Sequence, residues 1–87
     1  METRVAILAI VVEEWERAEE LNHILHQYGK YVVGRMGIPY EKRGISLISV
    51  VVDAPQDVIS TISGKIGNIP GITAKAVYSK AGVSHGA

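Results

Sequence analysis

The stretch VAILAIVV, residues 5–12, decides the fold of this chain. It is apolar at both alternating sets of positions, which predicts a central β-strand covered on both of its faces. It is too short to span a membrane, and Glu13, Glu14 and Glu16 follow it without the small-residue cleavage site that ends a signal peptide. We therefore expect a buried strand in a cytoplasmic protein.

A helical period replaces the strand pattern directly after this stretch. Ala18, Leu21, Leu25 and Tyr28 recur at steps of three and four residues, which predicts a helix over residues 14–28 with one apolar stripe. The glycine that follows is the residue type that commonly ends a helix. The first two predicted elements are therefore a strand and an amphipathic helix.

Strand and helix patterns continue to alternate through the rest of the chain. Residues 45–53 are apolar on both alternating sets and predict a second central strand. The resulting order, β-α-β-β-α-β, predicts one α+β domain over residues 1–80, a ferredoxin-like sandwich in which a four-stranded antiparallel sheet carries two helices on one face. The other predicted segments are a strand over 30–38, a hairpin loop over 39–44, a helix that begins near Pro55, a strand over 72–78 and a flexible tail over 81–87.

Two helices can cover only one face of such a sheet, so the apolar side chains on the other face need a different partner. We expect them to form an interface between copies of the chain, in a dimer or a tetramer. The alternative is that the C-terminal tail or a long loop folds over them. The residues expected on the uncovered face are Val5, Ile7, Ala9, Val11, Ile45, Leu47 and Val51.

The composition excludes several classes of protein. Nine lysines and arginines balance nine aspartates and glutamates, so the chain lacks the basic excess of a free-standing nucleic-acid-binding protein, and we expect no direct DNA contact. The chain has no cysteine, which excludes disulfides, thiolate metal sites and cysteine nucleophiles. The serines belong to no nucleophile motif, so we expect no catalytic residue. We also expect no cofactor.

The glycine-rich second strand and the loop after it contain the first set of candidate binding residues. Arg35 and Arg43 could form a fork for a carboxylate or a phosphate, and Tyr40 could add a hydroxyl group. Gly37 would allow a ligand to approach backbone N–H groups. The alternative is a bulged hairpin whose basic side chains face water or pair with Glu41.

The first predicted helix carries two further features. His23 and His26 are three residues apart, with Glu19 one turn before His23, and the three side chains could bind a divalent metal. The alternative is a solvated polar face with an ordinary Glu19–His23 pair. Trp15, the only tryptophan, is expected to pack in the core or in an interface, or else to stack on a ligand.

Several phrases of the sequence together resemble one known family. They are VGRMGIPY at residues 33–40, ISVVVD at 48–53 and NHILHQYG at 22–29, with shorter matches at 43–44, 57–60 and 70–72. In these phrases, which extend over most of the chain, the sequence resembles the iron-only hydrogenase system regulators. The resemblance implies a ferredoxin-like domain that is similar to ACT domains and to the C-terminal domain of nickel-responsive repressors, with a regulatory role.

The resemblance also shows which functions of such relatives we do not expect here. The nickel-responsive repressors bind DNA through an N-terminal ribbon-helix-helix segment and bind nickel through His and Cys on their strands, and we expect neither feature in this chain. We therefore expect an oligomeric regulatory domain, such as a transcription regulator without its own DNA-binding domain, that binds a small ligand or a protein partner. The alternatives are a metal-sensing domain and a purely structural interaction module.

Overall fold

Six regular elements follow one another in the order βαββαβ in the computed structural model, which describes residues 2–80. The predicted order and the α+β fold class are confirmed. The elements are β1 (Arg4–Val12), α1 (Ala18–Gln27), β2 (Val32–Tyr40), β3 (Ile45–Ala54), α2 (Gln56–Gly67) and β4 (Ile72–Tyr78). Short 3₁₀ turns at Trp15–Arg17, Gly29–Tyr31 and Glu41–Arg43 connect some of them.

The four strands form one antiparallel sheet in the order β2-β3-β1-β4. The strands β1 and β3 are central, as their apolar patterns predicted, because a strand with neighbours on both edges lies in the most protected part of the sheet. The register aligns Leu8 of β1 with Val50 of β3 and with Ala76 of β4. These three side chains therefore point to the same face.

Both helices pack on the face of the sheet that carries Leu8. Ile59, Ile62 and Ile66 of α2 and Leu21 of α1 are fully buried there. Burying a large aliphatic side chain stabilises the fold by about 1.5–3 kcal/mol. The sheet residues of this core are Ala6, Leu8, Ile10, Val12, Val50, Val52, Ala54 and Ile72.

The first helix begins later than the sequence pattern predicted, at Ala18 rather than at Glu14. The residues before it form a 3₁₀ turn in which Nη1 of Arg17 donates a hydrogen bond to Oε1 of Glu20 at 2.8 Å. This hydrogen bond raises the pKa of Arg17. A carboxylate oxygen of Glu14 also lies 3.8 Å from Nε of Arg17. The side chain of Arg17 thus pairs with nearby glutamates in a 3₁₀ turn, at a place where the sequence predicted the first turn of a longer helix.

The second strand also differs from the prediction, because it spans Val32–Tyr40 and the loop is confined to residues 41–44. Pro39 is compatible with a strand here because β2 is an edge strand, on which one side needs no ladder hydrogen bonds. Gly44 closes the turn with a φ of 68°, which glycine adopts without steric cost.

The remaining expectations about chain segments concern the tail and membrane spans. The tail predicted over residues 81–87 lies outside the described residues. The helices α1 and α2 have 10 and 12 residues, and no helix within residues 2–80 is long and apolar enough to cross a membrane.

Candidate functional site

The face of the sheet opposite the helices is apolar and exposed. Ile7 is 45% exposed, and Val5 and Leu47 are exposed to a similar extent. The register groups such residues, since Ile7 of β1 pairs with Val51 of β3 and Val77 of β4. The predicted uncovered set is therefore confirmed. This surface, which we call the open face, includes Val5, Ile7, Ala9, Val11, Ile45, Leu47, Val51 and Val77.

The edge strand β2 extends the open face. Met36 pairs with Ser49, Ile38 pairs with Leu47, and Tyr40 follows on the same side. Met36 is 68% exposed, and together with Ile38 and Leu47 it lines a groove of about 350 Å³. The sequence interpretation did not include these β2 residues, although the alternation of Met36, Ile38 and Tyr40 is the signal that indicates a shared strand face.

Only two charged side chains lie on the strands of the open face within residues 2–80. Asp53 pairs with Val5, and Lys75 pairs with Ala9, and both charged residues are exposed. One acid and one base leave this face without net charge. A surface of this kind does not repel its own copy, whereas a face with one sign of charge would.

A second feature lies on the helix side of the sheet, between the C-terminal half of α1 and the edge strand β2. A cavity of about 380 Å³ opens there. Apolar side chains and three polar side chains line it together. We call this cavity the Arg35 pocket, and its lining residues are Asn22, Leu25, His26, Gly29, Val32, Arg35 and Val50.

The direction of Arg35 follows from an irregularity in β2. A β-bulge between Val32 and Gly34 shifts the register of the strand. Arg35 then pairs with Val50, whose side chain is fully buried on the helix side. Arg35 therefore lies on the same side of the sheet as α1 and lines the pocket from β2.

Two residues from separate sequence predictions meet in the Arg35 pocket. Arg35 was expected in a fork with Arg43, and His26 was expected in a metal site with His23, but the structure brings Arg35 and His26 into one cavity. Asn22, which the sequence interpretation missed, lines the same cavity. The available signal was the spacing of four residues between Asn22 and His26, which places both on one helix face.

The structure does not bring the other predicted binding residues to Arg35. Gly37 lies on the helix side of β2 but not in the pocket lining, and Tyr40 pairs with Ile45 on the open face. Arg43 lies in the turn beyond the end of β2. At about 3.3 Å per residue, Arg35 and Tyr40 are already roughly 16 Å apart along the strand. The predicted fork of Arg35 and Arg43 is therefore not assembled within one chain.

The two histidines of α1 line different cavities. His26 lines the Arg35 pocket, whereas His23 lines a separate cavity of about 450 Å³ together with Glu19 and Glu20. Among residues 2–80, no group of three or more His, Cys, Asp and Glu side chains is arranged to hold a metal ion. The structure of the single chain therefore does not assemble the metal site expected from His23, His26 and Glu19.

Trp15 does not pack in the core. Its side chain is 75% exposed, and it lies in the 3₁₀ turn before α1. Of the environments expected for Trp15, core packing is therefore not observed, and the indole surface is available to an interface or a ligand.

Comparisons with known proteins give the family of the chain. Residues 4–76 match the TM1266-like family, whose description assigns the provisional role of iron-only hydrogenase system regulator. No curated protein matches the sequence. Among 23 matching chains of solved structures is the uncharacterized protein TM1266 from Thermotoga maritima, with 32% identity and a TM-score of 0.87 over 91% of this chain and 100% of that one. The chain belongs to the TM1266-like family of iron-only hydrogenase system regulators.

Proposed function

We propose that this chain is a cytoplasmic, non-catalytic regulatory domain of the iron-only hydrogenase system, and that it works as a homo-oligomer assembled through the open face. The family description supports the regulatory role. The exposed apolar side chains of the open face carry the proposal of assembly, because soluble monomers rarely leave a large contiguous apolar patch in water.

The open face has dimensions that suit an interface. Its strands have seven to ten residues. At about 3.3 Å per residue and about 4.8 Å between strands, the sheet presents a surface of roughly 15–20 Å by 25–30 Å. Stable complexes bury about 800 Å² of accessible surface per partner. The flat area of this surface is roughly half to three quarters of that value, and the protruding side chains of β2 add accessible area to it.

The free energy gained by covering apolar side chains favours an interface in which both partners contribute an apolar face. Six large apolar side chains remain about half exposed, and covering them is worth on the order of 5–10 kcal/mol for one chain. Association costs roughly 4–15 kcal/mol, and two apolar faces together, which gain on the order of 10–20 kcal/mol, offset that cost over most of its range. The six residues are Val5, Ile7, Met36, Ile38, Leu47 and Val77.

A second copy of the chain is the partner that the charges favour. An interface with two-fold symmetry joins the same surface patch from both subunits, so the patch must complement itself. Asp53 and Lys75 give the open face one charge of each sign. A second copy brings the same two charges and can place opposite charges near each other.

The regulatory output of this oligomer would depend on what it binds. The formal net charge is zero, which gives the chain no overall electrostatic attraction to DNA. We therefore propose that it controls the hydrogenase system, transcription included, through a protein partner or a small ligand.

Sedimentation velocity of the untagged chain over a range of concentrations tests the assembly. We expect a dimer or tetramer for the wild type and a monomer with an unchanged far-UV circular dichroism spectrum for Ile7→Glu. The matched control is Ser60→Glu, which adds the same charge at an exposed position of α2 and should stay assembled. A monomeric wild type at every concentration, or an Ile7→Glu variant that stays assembled, contradicts the proposal. A monomer whose open face binds a different protein would instead support the interaction module.

A further inference from the structure

We propose that the Arg35 pocket binds a small organic monoanion that carries one carboxylate and a short apolar chain. The proposal rests on the proposed function only for the regulatory meaning of such a ligand. Binding itself requires only the side chains of one subunit that line the pocket.

The polar side chains of the pocket are free to bind a ligand. Within residues 2–80, the side chains of Arg35, His26 and Asn22 form no hydrogen bond or ion pair with the protein. Arg4 and Arg17, by contrast, both donate side-chain hydrogen bonds. A guanidinium group binds a carboxylate through two parallel N–H···O hydrogen bonds, so Arg35 is the group that would hold the anion.

Apolar residues form the rest of the pocket wall. Val32 keeps part of its side chain exposed there, whereas Leu25 and Val50 are almost or fully buried and contribute little accessible surface. A volume of about 380 Å³ is at the small end of the range found for small-molecule sites, which are mostly apolar with a few polar groups that fix the orientation of the ligand. The lining of this pocket divides about evenly between polar and apolar surface, and its volume suits a short carbon chain.

The position of α1 favours a carboxylate over a phosphate. Leu25, His26 and Gly29 bring the C-terminal end of this helix to the pocket, and the partial negative charge of that end repels a dianion more strongly than a monoanion. Arg35 faces it from β2. A monoanion can place its single charge at Arg35 and its carbon chain against the apolar residues, whereas phosphate has no apolar part to bury.

Assembly through the open face leaves this pocket accessible. Arg35 lies on the helix side of the sheet, where it pairs with Val50, and Ile7 lies on the opposite face. The test of ligand binding and the test of assembly are therefore independent. A monomeric wild type that binds the ligand would contradict the proposed assembly and support the pocket. An assembled wild type that does not bind the ligand would support the proposed assembly and contradict the pocket.

The experiment is a titration of the full chain, uniformly labelled with ¹⁵N, with 3-methylbutanoate, followed by amide chemical shifts. We expect saturable shifts at Asn22, His26 and Arg35. The alcohol 3-methylbutan-1-ol, which lacks the carboxylate, and inorganic phosphate, which lacks the apolar chain, should each bind at least about tenfold more weakly. The same titration with Ile7→Glu should give the wild-type affinity.

Matched variants locate the anion. Arg35→Gln should weaken binding of 3-methylbutanoate by about tenfold or more, whereas Arg43→Gln, in the turn after the same strand, should not change it. His26→Gln should weaken binding and His23→Gln should not. Asn22→Asp, which keeps the size of the side chain but adds a negative charge to the wall, provides a second test and should also weaken it.

Three results would overturn the proposal. They are the absence of saturable shifts with 3-methylbutanoate, shifts that saturate at residues away from the pocket, and an affinity that is the same in folded Arg35→Gln and Asn22→Asp as in the wild type. Tighter binding of phosphate than of 3-methylbutanoate would also contradict the choice of a monoanion.

Discussion

Gly71 lies so close to Glu14 that there is no space for a Cβ atom between them. A Cβ atom on Gly71 would be 2.6 Å from Cγ of Glu14. Gly71 also has a φ of 79°, a conformation that L-residues with a side chain rarely adopt. Its carbonyl oxygen accepts a hydrogen bond of 2.8 Å from the backbone N–H of Glu13. The turn before β4 is therefore held against the segment that follows β1.

The first prediction concerns this contact. Gly71→Ala should lower the free energy of unfolding by about 2–4 kcal/mol, because the left-handed conformation and the displacement of Glu14 both cost energy. Gly44→Ala is the matched control, since Gly44 has a similar φ of 68° but open space around its Cα atom, and it should cost only about 1–2 kcal/mol. Urea denaturation followed by far-UV circular dichroism at one protein concentration measures both values. Equal losses of unfolding free energy in the two variants would show that the contact of Gly71 with Glu14 contributes nothing to stability.

The second prediction is a stabilising substitution in α2. Gly64 is exposed inside this helix, and a Cβ atom there would meet no atom within 4 Å beyond its chain neighbours and the backbone of its own helix. Gly64→Ala should therefore raise the free energy of unfolding by about 0.5–1 kcal/mol, because alanine has less backbone freedom to lose on folding. The same urea denaturation measures it. A lower stability of this variant would mean that Gly64 contacts another subunit or a ligand.

The topology could be predicted from the sequence because the apolar pattern of the two central strands is distinctive. Residues 5–12 and 45–53 are apolar at both alternating sets, and only central strands need side chains of that kind on both faces. Once these strands are placed in the middle, the right-handed crossover rule leaves few arrangements for the rest. The uncovered set on the open face follows from the same reasoning, and the exposure of Ile7 and Leu47 agrees with it.

The residues of the candidate binding pocket could not be predicted with the same success, because their positions depend on the register of β2. The bulge between Val32 and Gly34 determines to which face each later residue of β2 points, and a shift of one residue would exchange the faces of Arg35 and Met36. No local sequence signal fixes the position of a bulge to one residue. The pocket also joins α1 to β2, and this long-range proximity of His26 and Arg35 follows from packing alone.

The third prediction concerns the charges of the open face in the proposed oligomer. Lys75→Glu leaves the face with two acids and no base, and Asp53→Lys leaves it with two bases. Each substitution should raise the dissociation constant of the oligomer by roughly tenfold at low salt, because like charges from two copies then meet. The double variant, which exchanges the acid and the base, should recover most of the lost affinity. Sedimentation equilibrium at low and at physiological salt measures these constants, and salt should reduce the loss by screening exposed charges. Single variants that assemble as tightly as the wild type at low salt would show that Asp53 and Lys75 lie outside the interface, and the choice of a second copy as the partner would lose its electrostatic support.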